Sequence, residues 1–186
     1  CFEEEPDAGL VGAKLVYPDG RLQHCGIVVG IGGIAGHICL YEKKNSGGYF
    51  GRVFKTQDVS AVTGACLMVK TALYRQLGGL DEKHFAVAYN DVDFCLRLRE
   101  KGLLNVMTPF AEGYHYESKS RGLDEKDAAK RARFDGERAR MKQRYGDALT
   151  RDPFYNPNLT LDREDFSESD ALPKFREPGA DAFVQR

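Results

Sequence analysis

The chain has 186 residues, 42% of them hydrophobic, which is enough for one domain with a real core and outside the composition of a disordered chain. Lys plus Arg total 27 against 28 for Asp plus Glu, so nothing global marks a nucleic-acid or membrane binder, and no nucleic-acid partner is expected. No stretch reaches the roughly 20 apolar residues that span a bilayer, and "CFEEEPDAGLVG" lacks the pattern of a secretory leader, so the chain reads as cytoplasmic.

Position 1 is Cys, and the sequence runs almost at once into "LVGAKLVYPDG", which reads as joining a fold partway through, with an upstream half expected. Cys1, Cys25, Cys39, Cys66 and Cys95 are odd in number, widely spaced and without CxxC pairs, as expected of reduced thiols rather than a disulfide framework or a zinc site.

The apolar runs 11–17 and 22–29, joined by the turn tripeptide "PDG", predict a β-hairpin or two sheet strands. The glycines of "GIGGIAGH" lack GxGxxG or GK[ST] spacing and precede no helix pattern, which predicts a loop beside a site rather than a phosphate loop. Residues 42–55, rich in Gly, Lys and Asn, read as a surface loop. A strand is predicted over 59–69, then a short helix to Leu77 stopped by Gly78. Gly64 and Ala65 inside that strand pattern imply a close approach to the backbone. A second helix is predicted over 86–102, then a short strand that Pro109 ends, then a basic helix from about Glu125 to Tyr145. This last helix carries Phe134, Arg138, Met141 and Tyr145 as a docked stripe, and its basic face reads as solvated surface, with contact to phosphates as the sharper option. The tail reads as an irregular arm anchored by Phe154, Tyr155, Leu159 and Phe166.

The run "AYNDVDFCLRLREKG", 88–102, holds two acids at the start of the second helix. With Asn90 as the cap, Asp91 and Asp93 fall in the first turn, and one reading is that both only start the helix. At about 100° per residue they point some 160° apart, so the two cannot serve one reacting group. Asp93 meets Arg97 at i+4, a local ion pair, whereas Phe94 and Cys95 give Asp91 no such partner. Asp91 is thus the freer acid, able to accept a proton late from a hydroxyl that is bonding to an electrophilic carbon.

Taken in order, "VTGACLMVKTALYRQLGGLDE", "AYNDVDFCLRLREKG", "NVMTPFAEGYHYESKSRG" and "DPFYNPNLT" resemble family 2 of the glycosyltransferases, over about residues 10–166. The bacterial members that build O-antigen and other surface polysaccharides, rhamnosyltransferase-like enzymes among them, share the pattern best. The resemblance implies an α/β, partial GT-A fold, Rossmann-like, with a mixed sheet and flanking helices. It divides the chain into an acceptor-side half of the catalytic domain, 1–122, and a C-terminal helix and extended tail, 123–186. The implied activity is inverting transfer of a sugar from a nucleotide-diphospho-sugar donor to a saccharide or lipid-linked saccharide acceptor.

By the same resemblance, Asp91 matches the general base and Asn90 stands where relatives often carry Glu. His115 matches a histidine that completes the shell of a divalent cation, Mn²⁺ or Mg²⁺ with Mn²⁺ favoured, and Glu117 is placed to support it. Gly64, Ala65, Gly79 and Asp81, with Asn90, match the acceptor side of the pocket. Lys119 and Arg121 match a loop facing the donor phosphates, while Asp93 and Arg97 support the helix. Without the resemblance, His115 in "GYHYE" reads as an ordinary hydrogen-bonded histidine. "DVD" at 91–93 has the letters of an Asp-x-Asp metal motif but sits at the base position, so that motif is expected upstream, and the chain alone is expected to be inactive. Two other readings stand beside this one: a non-catalytic module that binds saccharide or a partner protein, and a different nucleotide-using enzyme such as a nucleotidyltransferase. Peripheral association of the basic helix with an anionic membrane surface is compatible with the sequence; spanning is not.

Overall fold

The computed structural model describes residues 2–116 and 127–170; the readings at Cys1, Glu117, Lys119 and Arg121 and over 171–186 lie outside them. The chain is built on β1, Ala8–Val16, whose nine residues are buried apart from one. β7, Leu104–Tyr114, runs parallel to β1 from Ala8↔Leu104 to Val16↔Tyr114. β5, Gln57–Val59, lies antiparallel on the far side of β7, while β2, Leu22–His24, and β6, Leu67–Val69, both lie antiparallel on the other side of β1. The result is a mixed sheet with one parallel pair at its centre. β3, Ile27–Val29, and β4, Ala35–His37, form a separate two-stranded sheet.

Helices α1, Thr71–Gln76, α2, Asn90–Glu100, and α3, Ala128–Tyr145, complete the fold. α1 and α2 end alike. Gly78 and Gly102 take positive φ, 78° and 76°, and in each case two amides fold back on the last turn: Gly78 to Arg75 and Gly79 to Tyr74, Gly102 to Arg99 and Leu103 to Leu98. The turn after α2 returns the chain directly into β7. Asn105 Nδ2 then donates to the Cys95 carbonyl, fixing α2 along that strand.

Five expectations need correction. The 22–29 run is not one strand, because Gly26 at φ 122° turns the chain out of the main sheet after His24. "GIGGIAGH" is the turn and return strand of the β3–β4 hairpin. Pro109 does not end its strand: Thr108 pairs with Ala13 and Glu112 with Lys14, so 109–111 form a bulge in which proline's missing N–H is tolerated. That bulge turns Phe110 outward, 86% exposed. The second helix begins at Asn90 rather than 86, and its cap is Tyr89 in the left-handed region, φ 63°, with no side-chain cap bond, rather than Asn90.

The predicted 59–69 strand is also interrupted. Between β5 and β6 the successive amides of Val62, Thr63 and Gly64 go to the side chains of Cys95, His24 and Asp91 instead of to neighbouring strands. Gly12 on β1 lets this segment in, since a Cβ there would lie 2.6 Å from Val62. Cys25, Cys39 and Cys95 are buried free thiols and Cys66 is an exposed one. Among the described residues no helix is long and apolar enough to cross a membrane.

Candidate active site

The 62–65 segment and the start of α2 form one surface. Gly64 N–H donates to Asp91 Oδ2 at 2.8 Å, and Val92 N–H donates to Asp91 Oδ1 at 2.9 Å. The close approach foreseen at Gly64 is thus the Asp91 side chain, whose Cβ would lie 3.4 Å from a Cβ placed on the glycine. Asp91 is half-buried, and among the described residues no ion pair includes it. A carboxylate offers about four lone-pair positions and two are used here, which leaves acceptor capacity for an incoming hydroxyl.

Behind this contact the packing is tight. One helical turn after Asp91, the Cys95 thiol lies 3.5 Å from Val62 N, and burial pushes its pKa well up, so it stays neutral. His24 is fully buried; its Nε2 accepts from Thr63 N–H at 3.3 Å, and its Nδ1 lies 3.1 Å from His37 Nδ1. Because Nε2 accepts, the His24 proton belongs on Nδ1, which donates to His37. This histidine pair carried no motif and escaped the sequence reading; only its place opposite Leu15, beside the glycine segment, gives it a role.

Asp93 faces the other way. It is fully buried and receives Arg97 Nε at 2.8 Å, Arg144 Nη1 at 2.6 Å and the Tyr145 hydroxyl at 2.7 Å. Arg97 also donates to the carbonyls of Leu77 and Gly79, tying the end of α1 to α2. Gly79 is buried in this junction at φ 70°. Asp81 binds Arg144 Nη1 at 2.9 Å and His84 Nδ1 at 2.9 Å. Burial opposes the Asp81 carboxylate, but the hydrogen bonds from Arg144 and His84 outweigh it and lower its pKa to about 2. Asn90 is half-buried at the first position of α2, and Ala65 is exposed with its amide on Thr63 Oγ1.

His115 stands just past β7, its amide bonded to the Val16 carbonyl at 3.0 Å and its Nδ1 buried without a hydrogen-bond partner among the described residues. The glycine segment lies close in level: Ala13 N–H donates to Cys66 O, and His24, opposite Leu15, holds Thr63. Those levels fall one to three residues short of Val16, or about 3–10 Å along the strand. The glycine segment, which holds Asp91, and the His115 amide thus both lie level with the carboxyl-terminal part of β1. Among the described residues no group of three or more His, Cys, Asp and Glu side chains converges on a metal position.

No family model matches the chain. It is 50% identical over 166 residues to an uncharacterized protein of Sinorhizobium fredii, covering 89% of this chain and 18% of that protein. It is 37% identical over 163 residues to an O-antigen biosynthesis protein of Myxococcus xanthus, covering 87% of this chain and 12% of the other. A third relative, the N-acetylglucosaminyl-diphospho-decaprenol L-rhamnosyltransferase of Mycobacterium tuberculosis, is 39% identical over 68 residues, 37% of this chain and 22% of that one. The chain thus spans less than a quarter of the length of each of these relatives. It is a homologue of proteins of O-antigen biosynthesis and rhamnosyl transfer, with a mixed sheet and flanking helices in keeping with a partial Rossmann-like fold.

Proposed function

We propose that the chain is the acceptor-side part of an inverting, family 2 glycosyltransferase of GT-A fold. The enzyme would move a sugar from a nucleotide-diphospho-sugar to a saccharide or lipid-linked saccharide in O-antigen or other cell-surface polysaccharide synthesis. One observation carries this reading. Of the two acids that open α2, Asp93 is consumed by two arginines and a tyrosine, while Asp91 rests on the Gly64 amide with lone pairs to spare. Homology to an O-antigen biosynthesis protein and a rhamnosyltransferase supplies the substrate class.

In this reading Asp91 takes the proton of an acceptor hydroxyl as that oxygen bonds to the anomeric carbon and the bond from that carbon to the diphosphate breaks, a single displacement with inversion. Gly64, Ala65 and Asn90 border the acceptor; Gly79 and Asp81 shape its wall through their ties to Arg97 and Arg144. Lys119 and Arg121 serve the donor phosphates, and Glu117 supports His115. A divalent cation, Mn²⁺ or Mg²⁺, bound with the diphosphate would supply Lewis-acid stabilisation. The buried Nδ1 of His115, without a hydrogen-bond partner among the described residues, fits one ligand of such an ion.

The test uses the longer protein that carries this chain, screened against nucleotide-sugars for release of nucleoside diphosphate. Asp91→Asn lowers transfer by about a hundredfold to ten-thousandfold, the range of a lost general base, with donor binding unchanged and the fold retained at the assay temperature. Turnover retained in that variant overturns the assignment.

A further inference from the structure

Glu137 lies in the middle of α3, 1% exposed, and takes two successive backbone amides: Val87 N–H on Oε1 at 3.1 Å and Ala88 N–H on Oε2 at 2.8 Å. The nearest guanidinium in an ion pair with it, that of Arg133, is 4.0 Å away at Nε. A carboxylate taken out of water is costly unless hydrogen bonds compensate it, and here the backbone just ahead of α2 provides them. The next residue, Tyr89, holds the left-handed conformation at φ 63° and packs its ring on Phe134 of α3, centroids 5.7 Å apart. A non-glycine residue keeps such a conformation only where its surroundings enforce it. Two residues later stands Asp91. Glu137 and Phe134, one turn apart on α3, thus grip 87–89 and define where α2 starts and where the Asp91 carboxylate meets Gly64.

We infer that Glu137 is a positioning residue: by fixing the backbone of Val87 and Ala88 from α3, it holds the Asp91 carboxylate against the Gly64 amide. The placement stands on geometry alone; its value for turnover rests on the reading of Asp91 as the base. Glutamine has the shape of glutamate but one acceptor oxygen, so Glu137→Gln sets an NH₂ against one of the two amides, donor facing donor.

The test is amide hydrogen exchange by NMR on the isotope-labelled chain, comparing Gly64 with Val106 on β7 as the remote control. Glu137→Gln accelerates Gly64 exchange relative to Val106 by about tenfold or more, as loss of a charge-assisted bond implies, and moves the Gly64 amide shift. Equal acceleration at both sites marks a general loss of stability and overturns the proposal, as does an unmoved Gly64. Should the glutamine variant fail to fold, native-state exchange of the wild-type chain in rising urea decides. Val87, Ala88 and Gly64 opening together support the proposal, and Gly64 opening independently of the other two overturns it. A second arm assays transfer in the longer protein. With Glu137→Gln, kcat falls and acceptor KM holds if Asp91 is the base. Selective Gly64 exchange with unchanged kcat keeps the positioning and overturns only the assignment of the base.

Discussion

At Asp93 a fully buried carboxylate collects two arginines and a tyrosine hydroxyl, whereas at Asp91 both oxygens take backbone amides and remain open to an incoming group. The separation of these acids was legible from helix phase alone, because side-chain direction in a helix is set by residue number. The environment behind Asp91 was not. His24 sits in an unremarkable strand pattern, and its partner Thr63 is distant in sequence, so only folding brings them together. Burial, and then the charge of His37, hold the His24 pKa well below its ordinary 6.5. The unfolded chain therefore takes up this proton first as pH falls. The stability that His24 contributes as a neutral ring is present above pH 6.5 and is lost as pH falls from there toward the folded value, at up to about 1.4 kcal/mol per pH unit. Urea unfolding at pH 7, 6 and 5 checks this: His24→Gln is less stable than wild type at pH 7 but has the flatter pH profile. A slope unchanged by the substitution assigns the pH dependence to another group.

Helix α3 is basic, yet several of its cations tie it to the rest of the fold: Arg138 donates to the Gly32 carbonyl, Arg140 to that of His84, and Arg144 binds both Asp81 and Asp93. The stripe read from the sequence contains Met141 and Tyr145, which are buried, but it misses Glu137, because a lone Glu in a charged helix carries no mark of burial. The breaks in the predicted elements have the same origin. Pro109 is tolerated because β1 and β7 slip past each other at the bulge, and the 62–64 amides leave the sheet because side chains of α2 and β2 claim them. Both depend on partners that local pattern does not name. The α3 tie also has an acid signature. With the Asp81 pKa lowered from 3.8 to about 2, its contribution is complete above pH 4 and disappears as pH falls through 2. Arg144→Gln removes the main hydrogen bond opposing burial, so a carboxyl titration followed by NMR finds the Asp81 midpoint moved up toward 3.8. An unmoved midpoint assigns the depression to His84 instead.

Across the whole molecule, the irregular stretch after α3 is part of the fold. Tyr155, Leu159 and Phe166 are buried in the same core as the β3–β4 sheet, and Phe166 stacks on Tyr49 with ring centroids 4.6 Å apart. The sequence named these anchors from their spacing among polar residues, but it left the role of Asp152 in "DPFYNPNLT" open. That residue is buried and acts as a staple: Oδ2 accepts from Val29 N–H across 123 residues, and Oδ1 caps the local turn at Phe154 N–H, both at 2.8 Å. Nearby Arg99 leans over the Phe154 ring and donates to Ser60. Burial lowers the Arg99 pKa while the charge of Asp152 works to raise it, so the carboxylate also compensates a partly buried cation. Asp152→Ala leaves the Val29 amide buried without an acceptor, a loss of about 1–3 kcal/mol. Asp152→Asn keeps one acceptor oxygen but no charge, so its stability falls between the two. Urea midpoints measured at constant m-value should rank wild type above Asn above Ala. An alanine variant as stable as wild type would show that the tail is held by its aromatic anchors alone, with the Val29 amide finding water in place of Asp152.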